Sequence, residues 1–344
     1  MRRLMVPKND DGERGAIAVL VALLLVVLLG FAALAVDAGM LYSERAQVQN
    51  GSDAAALAVA QKCAANTSDP NCSTTSQIAS DIANKNANDG LNNIKSINLD
   101  LTNRKVTVTA GAQQAGGAPN AVSLFFARVL GVNSTSVVTS SSVQWGSPVA
   151  GTTAFPLAFS ICQVQGYIGG ALQLLQDHSS GANPSCNYGP SGAVAPGGFG
   201  WLAQDAGVCG ATINLATSEA GSSQGNSPPN CPLQKWADTI NAGRDVVVLL
   251  PVFDAITGTG VGAGAIYHLV SFAAFKVTGW KFSGGNNTPP DSFHNISPYV
   301  SPAVSCSGGC RGIIGSFVKY VSLADGYSLG PVDAYGATIV RLTP

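Results

Sequence analysis

Residues 16–36, AIAVLVALLLVVLLGFAALAV, hold no charged or strongly polar side chain. As a helix rising about 1.5 Å per residue, the run measures roughly 30 Å, the thickness of a bilayer's hydrocarbon core. It exceeds the apolar part of a cleaved secretory signal, and AALAVDAG is a loose match to a cleavage site. A retained span is therefore the expectation, with a cleaved signal as the alternative. Arg2, Arg3, Lys8 and Arg14 precede the run, and Arg45 is the first basic residue after it. The positive-inside rule then keeps the basic tail, residues 1–15, in the cytoplasm and places the rest of the chain outside.

Helix-forming composition does not stop at the outer edge of this span. From Gly15 to about Ala64 the chain reads as one helix, with Gly30, Gly39 and Gly51 as places where it could bend. Asp37 stands where the helix leaves the apolar run. It either meets the headgroups or marks a contact with neighbours in an assembly. Further out, Ala54 with Ala58 and Ala55 with Val59 are small side chains at i, i+4. Such pairs let a second backbone approach closely, whether from another protein or from the chain's own hairpin.

Beyond this rod, TTSQIASDIANKNAND places Ile78 and Ile82 one turn apart and predicts a short amphipathic helix ended by Gly90. IKSINLDL and RKVTVTAG alternate around TN and predict a hairpin. AVSLFFARVLGV has helical spacing and stops at Gly131, and STSVVTSSSVQW is β-prone. GSPVAGTTAFP breaks the pattern, so 147–155 reads as a linker between an extracytoplasmic module at 37–146 and a second domain at 156–344. In that second part Gly, Pro and Ser are dense. DVVVLLPVFDAI, GAIYHLVSFAAFKVTGWKF, SFVKYVSL and GATIVRLT are strand candidates, the second apolar on both faces and so buried. ALQLLQDH reads as a turn or two of helix. The expected class is α+β: a long transmembrane helix extended into a helix and hairpin module, then a mainly antiparallel β domain held by disulfides.

All eight cysteines follow the span: Cys63, Cys72, Cys162, Cys186, Cys209, Cys231, Cys306 and Cys310. An even set in an exported segment implies up to four bridges. Pairing of sequence neighbours is the simplest arrangement, although spacing alone does not decide connectivity. A zinc site is disfavoured because the chain has no C-x-x-C pair and its three histidines lack ligand spacing. Only 11% of residues are charged, 18 basic against 19 acidic, which leaves no basic surface for nucleic acid.

Few motifs carry chemistry. GSSQG at 221–225 matches G-x-S-x-G with Ser223 in the nucleophile place, and Asp254 and His268 follow in triad order. A nucleophile elbow needs a helix next, and NSPPNCP does not start one promptly. GVGAGA at 260–265 lacks the helix and the acidic residue of a dinucleotide loop. DAITG at 254–258 is no D-x-S-x-S adhesion motif and offers at most an incidental Ca²⁺ site. His178, His268 and His294 read as packed or surface residues. No catalytic, cofactor-binding or metal residue is expected.

The N-terminal stretch resembles the TadE/TadG-like Flp pilus-assembly proteins. Their pattern is a basic tail, R-G, an apolar span, A-V-D-x-G, an aromatic, then L-Q-N-A-A-D-A-A-A-L-A. Arg14, Gly15, Ala35, Val36, Asp37, Gly39, Tyr42, Gln49, Asn50, Asp53 and Ala54 to Ala56 fall on it. AVSLFFARVLGV is similar to the segment after the hairpin in such proteins, and FGWL, PVFDAITGTG, FAAFKVTGWKF and CRGIIGSFVKYV are similar to C-terminal regions of actinobacterial relatives. The resemblance implies a non-enzymatic, single-pass cell-membrane protein that anchors or scaffolds the tight-adherence pilus, with membrane lipid, other Tad proteins and pilins as partners and no cofactor. Pseudopilin members are cut after a glycine with glutamate five residues on. Leu20 stands there instead, so the uncleaved TadG-like form is implied. A surface adhesin is the alternative, and an anchored serine hydrolase a third.

Overall fold

A computed structural model describes residues 11–165, 167–178, 180–217, 219–222, 230–258, 264–321, 326–333 and 335–343; of these, 11–16, 320 and 321 are described by backbone alone. The chain divides into two compact units, one comprising residues 1–143 with 342–344, the other residues 144–341.

In the first unit, α1 (Asp11–Ala65) is a single unbroken helix, so none of the three candidate glycines ends or interrupts it. Among the described residues it is the one helix long and apolar enough to cross a membrane. The residues of its apolar run are exposed almost without exception. The character changes beyond the span. Val48, Ser52, Ala55 and Val59 recur at i, i+4, i+7 and i+11 and are buried. They form the stripe that covers the module's core.

That stripe packs under α2 (Gln77–Lys85) and a hairpin of β1 (Asn92–Asp100) and β2 (Lys105–Ala112). The hairpin pairs Asp100 with Lys105 across a turn at 101–104, close to the expected position. Ala79 and Ala83 of α2 are fully buried, while Ile78 and Ile82 are half-buried, so the alanines make the close helix contact. Gly51 allows close approach here: a Cβ would lie 2.6 Å from Asn92 Nδ2, which would have to move, and 3.4 Å from the Ala83 carbonyl. The Cys63–Cys72 bridge ties the last turn of α1 to the following loop.

The segment after the hairpin departs from its expected helix. It forms β3 (Ala121–Ser123), a 3₁₀ turn (Ala127–Leu130) and β4 (Ser134–Ser136), with β3 and β4 paired antiparallel. Its apolar residues do not share one buried helical face: Val122 and Leu124 turn inward, while Phe125, Val129 and Leu130 are exposed. Gly131 ends the turn as expected, in the left-handed region at φ 86°.

The expected linker at 147–155 is mostly strand. β5 (Val138–Thr152) continues through it, and Ser147 is buried. Gly, Ser and Pro disguise a strand whose backbone is paired on its second half by two short partners. In the second unit these are β9 (Thr212–Asn214) and β16 (Ser328–Gly330). Also there, β15 (Tyr320–Val321) pairs in parallel with β17 (Thr338–Thr343).

The second unit's main sheet has the order β7 (Gln173–Gln176), β14 (Gly312–Val318), β12 (Ala265–Lys281), β11 (Val246–Gly258), β6 (Leu157–Ser160), β8 (Phe199–Trp201). The short β10 (Glu219–Gly221) and β13 (Ser292–Phe293) flank β12. Pairing is antiparallel except between β11 and β6. α3 (Ile161–Val164) and α4 (Leu233–Asn241) are its short helices. β7 replaces the helix expected from ALQLLQDH, because pairing with β14 holds Leu174 and Leu175 extended. β12 is buried on both faces from Ser271 to Phe275 and again from Gly279 to Lys281; nearer its start His268 and Val270 are half-exposed. Phe155, Trp201, Trp236, Trp280 and Phe282 meet in the core with ring centroids 5.1–6.1 Å apart. Cysteines 162–186, 209–231 and 306–310 are bridged, so all four pairs follow the neighbour pattern. Lys281, buried against the last of these loops, donates to the Gly308 carbonyl at 3.0 Å.

Candidate functional site: the long N-terminal helix

Asp37 sits one position past the apolar run, yet it is only 4% exposed. Its carboxylate is covered by the chain's own loop. Oδ1 accepts the Phe125 N–H at 3.0 Å, and Oδ2 accepts those of Phe126 at 2.9 Å and Ala127 at 2.6 Å. These amides open the 3₁₀ turn and have no carbonyl within it to bond, so an anion there satisfies them. Burial raises the Asp37 pKa, and the N–H groups of Ala127, Phe125 and Phe126 outweigh it and hold it below its ordinary value. Asp37 is thus neither exposed to headgroups nor free for a neighbour; it clamps the 125–127 loop onto the helix.

Three turns outward, Gln49, Ser52 and Asp53 dock β5. Ser52 Oγ lies 2.7 Å from Ser141 Oγ and 3.1 Å from Thr139 Oγ1. Gln49 Nε2 donates to Ser141 Oγ at 3.0 Å and to Asp53 Oδ1 at 2.8 Å, and Ser141 Oγ donates to Asp53 Oδ1. The small residues nearby serve the same packing: Ala55, Ala56, Val59 and Ala60 are buried within the unit. Ser52, Thr139 and Ser141 escaped the sequence reading. Ser52 was legible only as a polar residue on the buried stripe.

The remaining motif positions point away. Gly39, Tyr42 and Asn50 are exposed, Tyr42 by 80%, and a Cβ at Gly39 would meet nothing within 4 Å. With Ala46, also exposed, they follow i, i+3, i+7, i+11 and line the helix face opposite Val48, Ser52, Ala55 and Val59. Arg14 and Gly15 lie in the first turns of α1.

In the second unit Asp254 is fully buried and accepts His268 Nδ1 at 2.5 Å and the Ser191 N–H at 2.7 Å. The two triad partners named from sequence therefore do meet. Ser223 and residues 260–263 of the glycine-rich stretch lie outside the described residues. His178 donates to or accepts from the Tyr267 hydroxyl at 3.1 Å, and His294 stacks between Phe293 and Tyr299. Among the described residues no group of three or more His, Cys, Asp and Glu is placed to hold a metal.

Residues 15–62 match the family model described as "Putative Flp pilus-assembly TadE/G-like". The matched stretch holds the apolar run and the α1 side of both the Asp37 clamp and the β5 dock. No curated protein and no solved structure matches the chain significantly.

Proposed function

We propose that the protein is a non-enzymatic, single-pass membrane component of the Flp pilus-assembly machinery, with residues 1–15 cytoplasmic and the bulk of the chain outside. It anchors an extracytoplasmic module and presents one helix face to other assembly proteins or pilins. The observation that carries this reading is the division of the family motif on α1. Asp37, Gln49 and Asp53 are consumed by the chain's own loop and strand. Gly39, Tyr42 and Asn50 form a contiguous exposed face just above the membrane. A small residue such as Gly39 lets a second helix approach closely, and an exposed aromatic such as Tyr42 is a common binding anchor.

The test is a deletion strain with surface Flp pili counted by electron microscopy against a complemented control. Pili disappear and return on complementation if the protein assembles them. Unchanged pili with lost adhesion would replace this reading with a surface adhesin displayed on the same anchor.

A further inference from the structure

The 124–132 loop lies against the wrong part of α1 for a loop in water. Phe126, Val129 and Leu130 line an apolar groove of about 380 Å³ with Val27, Phe31 and Leu34 of the span. Phe125 is 61%, Val129 84% and Leu130 74% exposed. If the apolar run of α1 crosses the bilayer, Val27 to Leu34 occupy its outer half, since the run is about as long as the hydrocarbon core is thick. A loop packed against them shares their depth.

We propose that residues 124–132 insert into the outer leaflet of the same bilayer and that phospholipid acyl chains fill the groove. Backbone can enter hydrocarbon only when its polar groups are bonded internally. Seven of the nine amides of this loop find acceptors within the chain. Leu124 N–H bonds the Asn133 carbonyl, those of Phe125, Phe126 and Ala127 bond Asp37, and those of Val129, Gly131 and Val132 bond the carbonyls of Phe126, Arg128 and Ala127. The Asp37 carboxylate thus makes an otherwise polar turn compatible with lipid. Arg128 is the one charged residue in 121–132; its guanidinium lies 5.1 Å from the Phe125 ring centre. A long cationic side chain beside an aromatic suits the headgroup level, where it reaches lipid phosphate.

The inference rests on α1 being a span, and the experiment separates the two. All eight cysteines are in bridges, so one added cysteine is the sole free thiol. Val129→Cys, Leu130→Cys, Leu28→Cys in the run and Thr102→Cys in the hairpin turn each carry a nitroxide, in the full chain in phosphatidylcholine/phosphatidylglycerol nanodiscs. Collision with oxygen and with a water-soluble nickel chelate is then measured. The expected result is that positions 129 and 130 behave as position 28 does, open to oxygen and closed to nickel, with the opposite at 102. Lipid-like behaviour at 28 with nickel access at 129 and 130 overturns the insertion and leaves the span. Nickel access at 28 overturns both. Shielding of 129 and 130 from both reagents assigns the groove to protein and also overturns the proposal.

Discussion

Asp37 Oδ2 accepts the Ala127 N–H at 2.6 Å across 90 positions of sequence. One carboxylate at the end of the apolar run therefore sets where a distant loop meets the helix. Replacing Asp37 with Ala leaves three amides at 125–127 without their acceptor while the core of the second unit is untouched. Amide exchange at these three positions should quicken markedly. All four tryptophans, 145, 201, 236 and 280, lie in the second unit, so the fluorescence-detected melt should not move. Unaltered exchange in Asp37→Ala would remove the clamp from the account.

The clamp also has a pH dependence of fixed sign. The folded Asp37 pKa lies below its ordinary value of 3.8. Its contribution is therefore complete above 3.8 and is lost as pH falls through the folded value. A nitroxide at Val129 should stay immobile from neutral pH down to mildly acid conditions and loosen only in stronger acid. The same label in Asp37→Asn should show no such transition. Loosening on raising the pH from neutral would contradict the assignment.

Ser141 joins Gln49, Ser52 and Asp53 in one buried polar network. Ser141→Ala removes one partner from Ser52, which keeps the Gln49 carbonyl and Thr139, and a hydroxyl donor from Asp53; each lost hydrogen bond is worth about 0.5–1.5 kcal/mol. Chemical unfolding followed by amide exchange in β2 should report the loss. Tryptophan fluorescence of the second unit should report none.

Much of this architecture was legible from side-chain chemistry that acts locally. The apolar run, the Ala55–Val59 pair and the β1–β2 alternation each point to one structure, and neighbour pairing was the simplest arrangement of the cysteines. The misread segments are those whose structure is decided at a distance. Gln173 to Gln176 has helical composition but is held extended by β14. Residues 147–152 look like a linker but have partners in β9 and β16. Asp37 was legible as special and not as a clamp, because its donors are main-chain N–H groups, which carry no residue signature.

The Asp254–His268 pair raises the hydrolase reading again, since its 2.5 Å contact is what a triad would need. The pair also has a structural use, because a fully buried carboxylate must be neutralised or bonded. The expected outcome for Ser223→Ala is unchanged piliation and no change in esterase turnover of the purified chain. Loss of a measurable esterase activity in that variant would install the enzyme in place of the scaffold.

Contact between the exposed face of α1 and the pilus machinery is tested by placing a photoreactive residue at Tyr42 or Asn50 of the full chain in piliated cells and identifying the adducts by mass spectrometry, with Thr102 as the control. Adducts at 42 and 50, absent at 102, should contain a pilin or a second Flp assembly protein. Correctly inserted protein that yields no such adduct at either position would contradict the account.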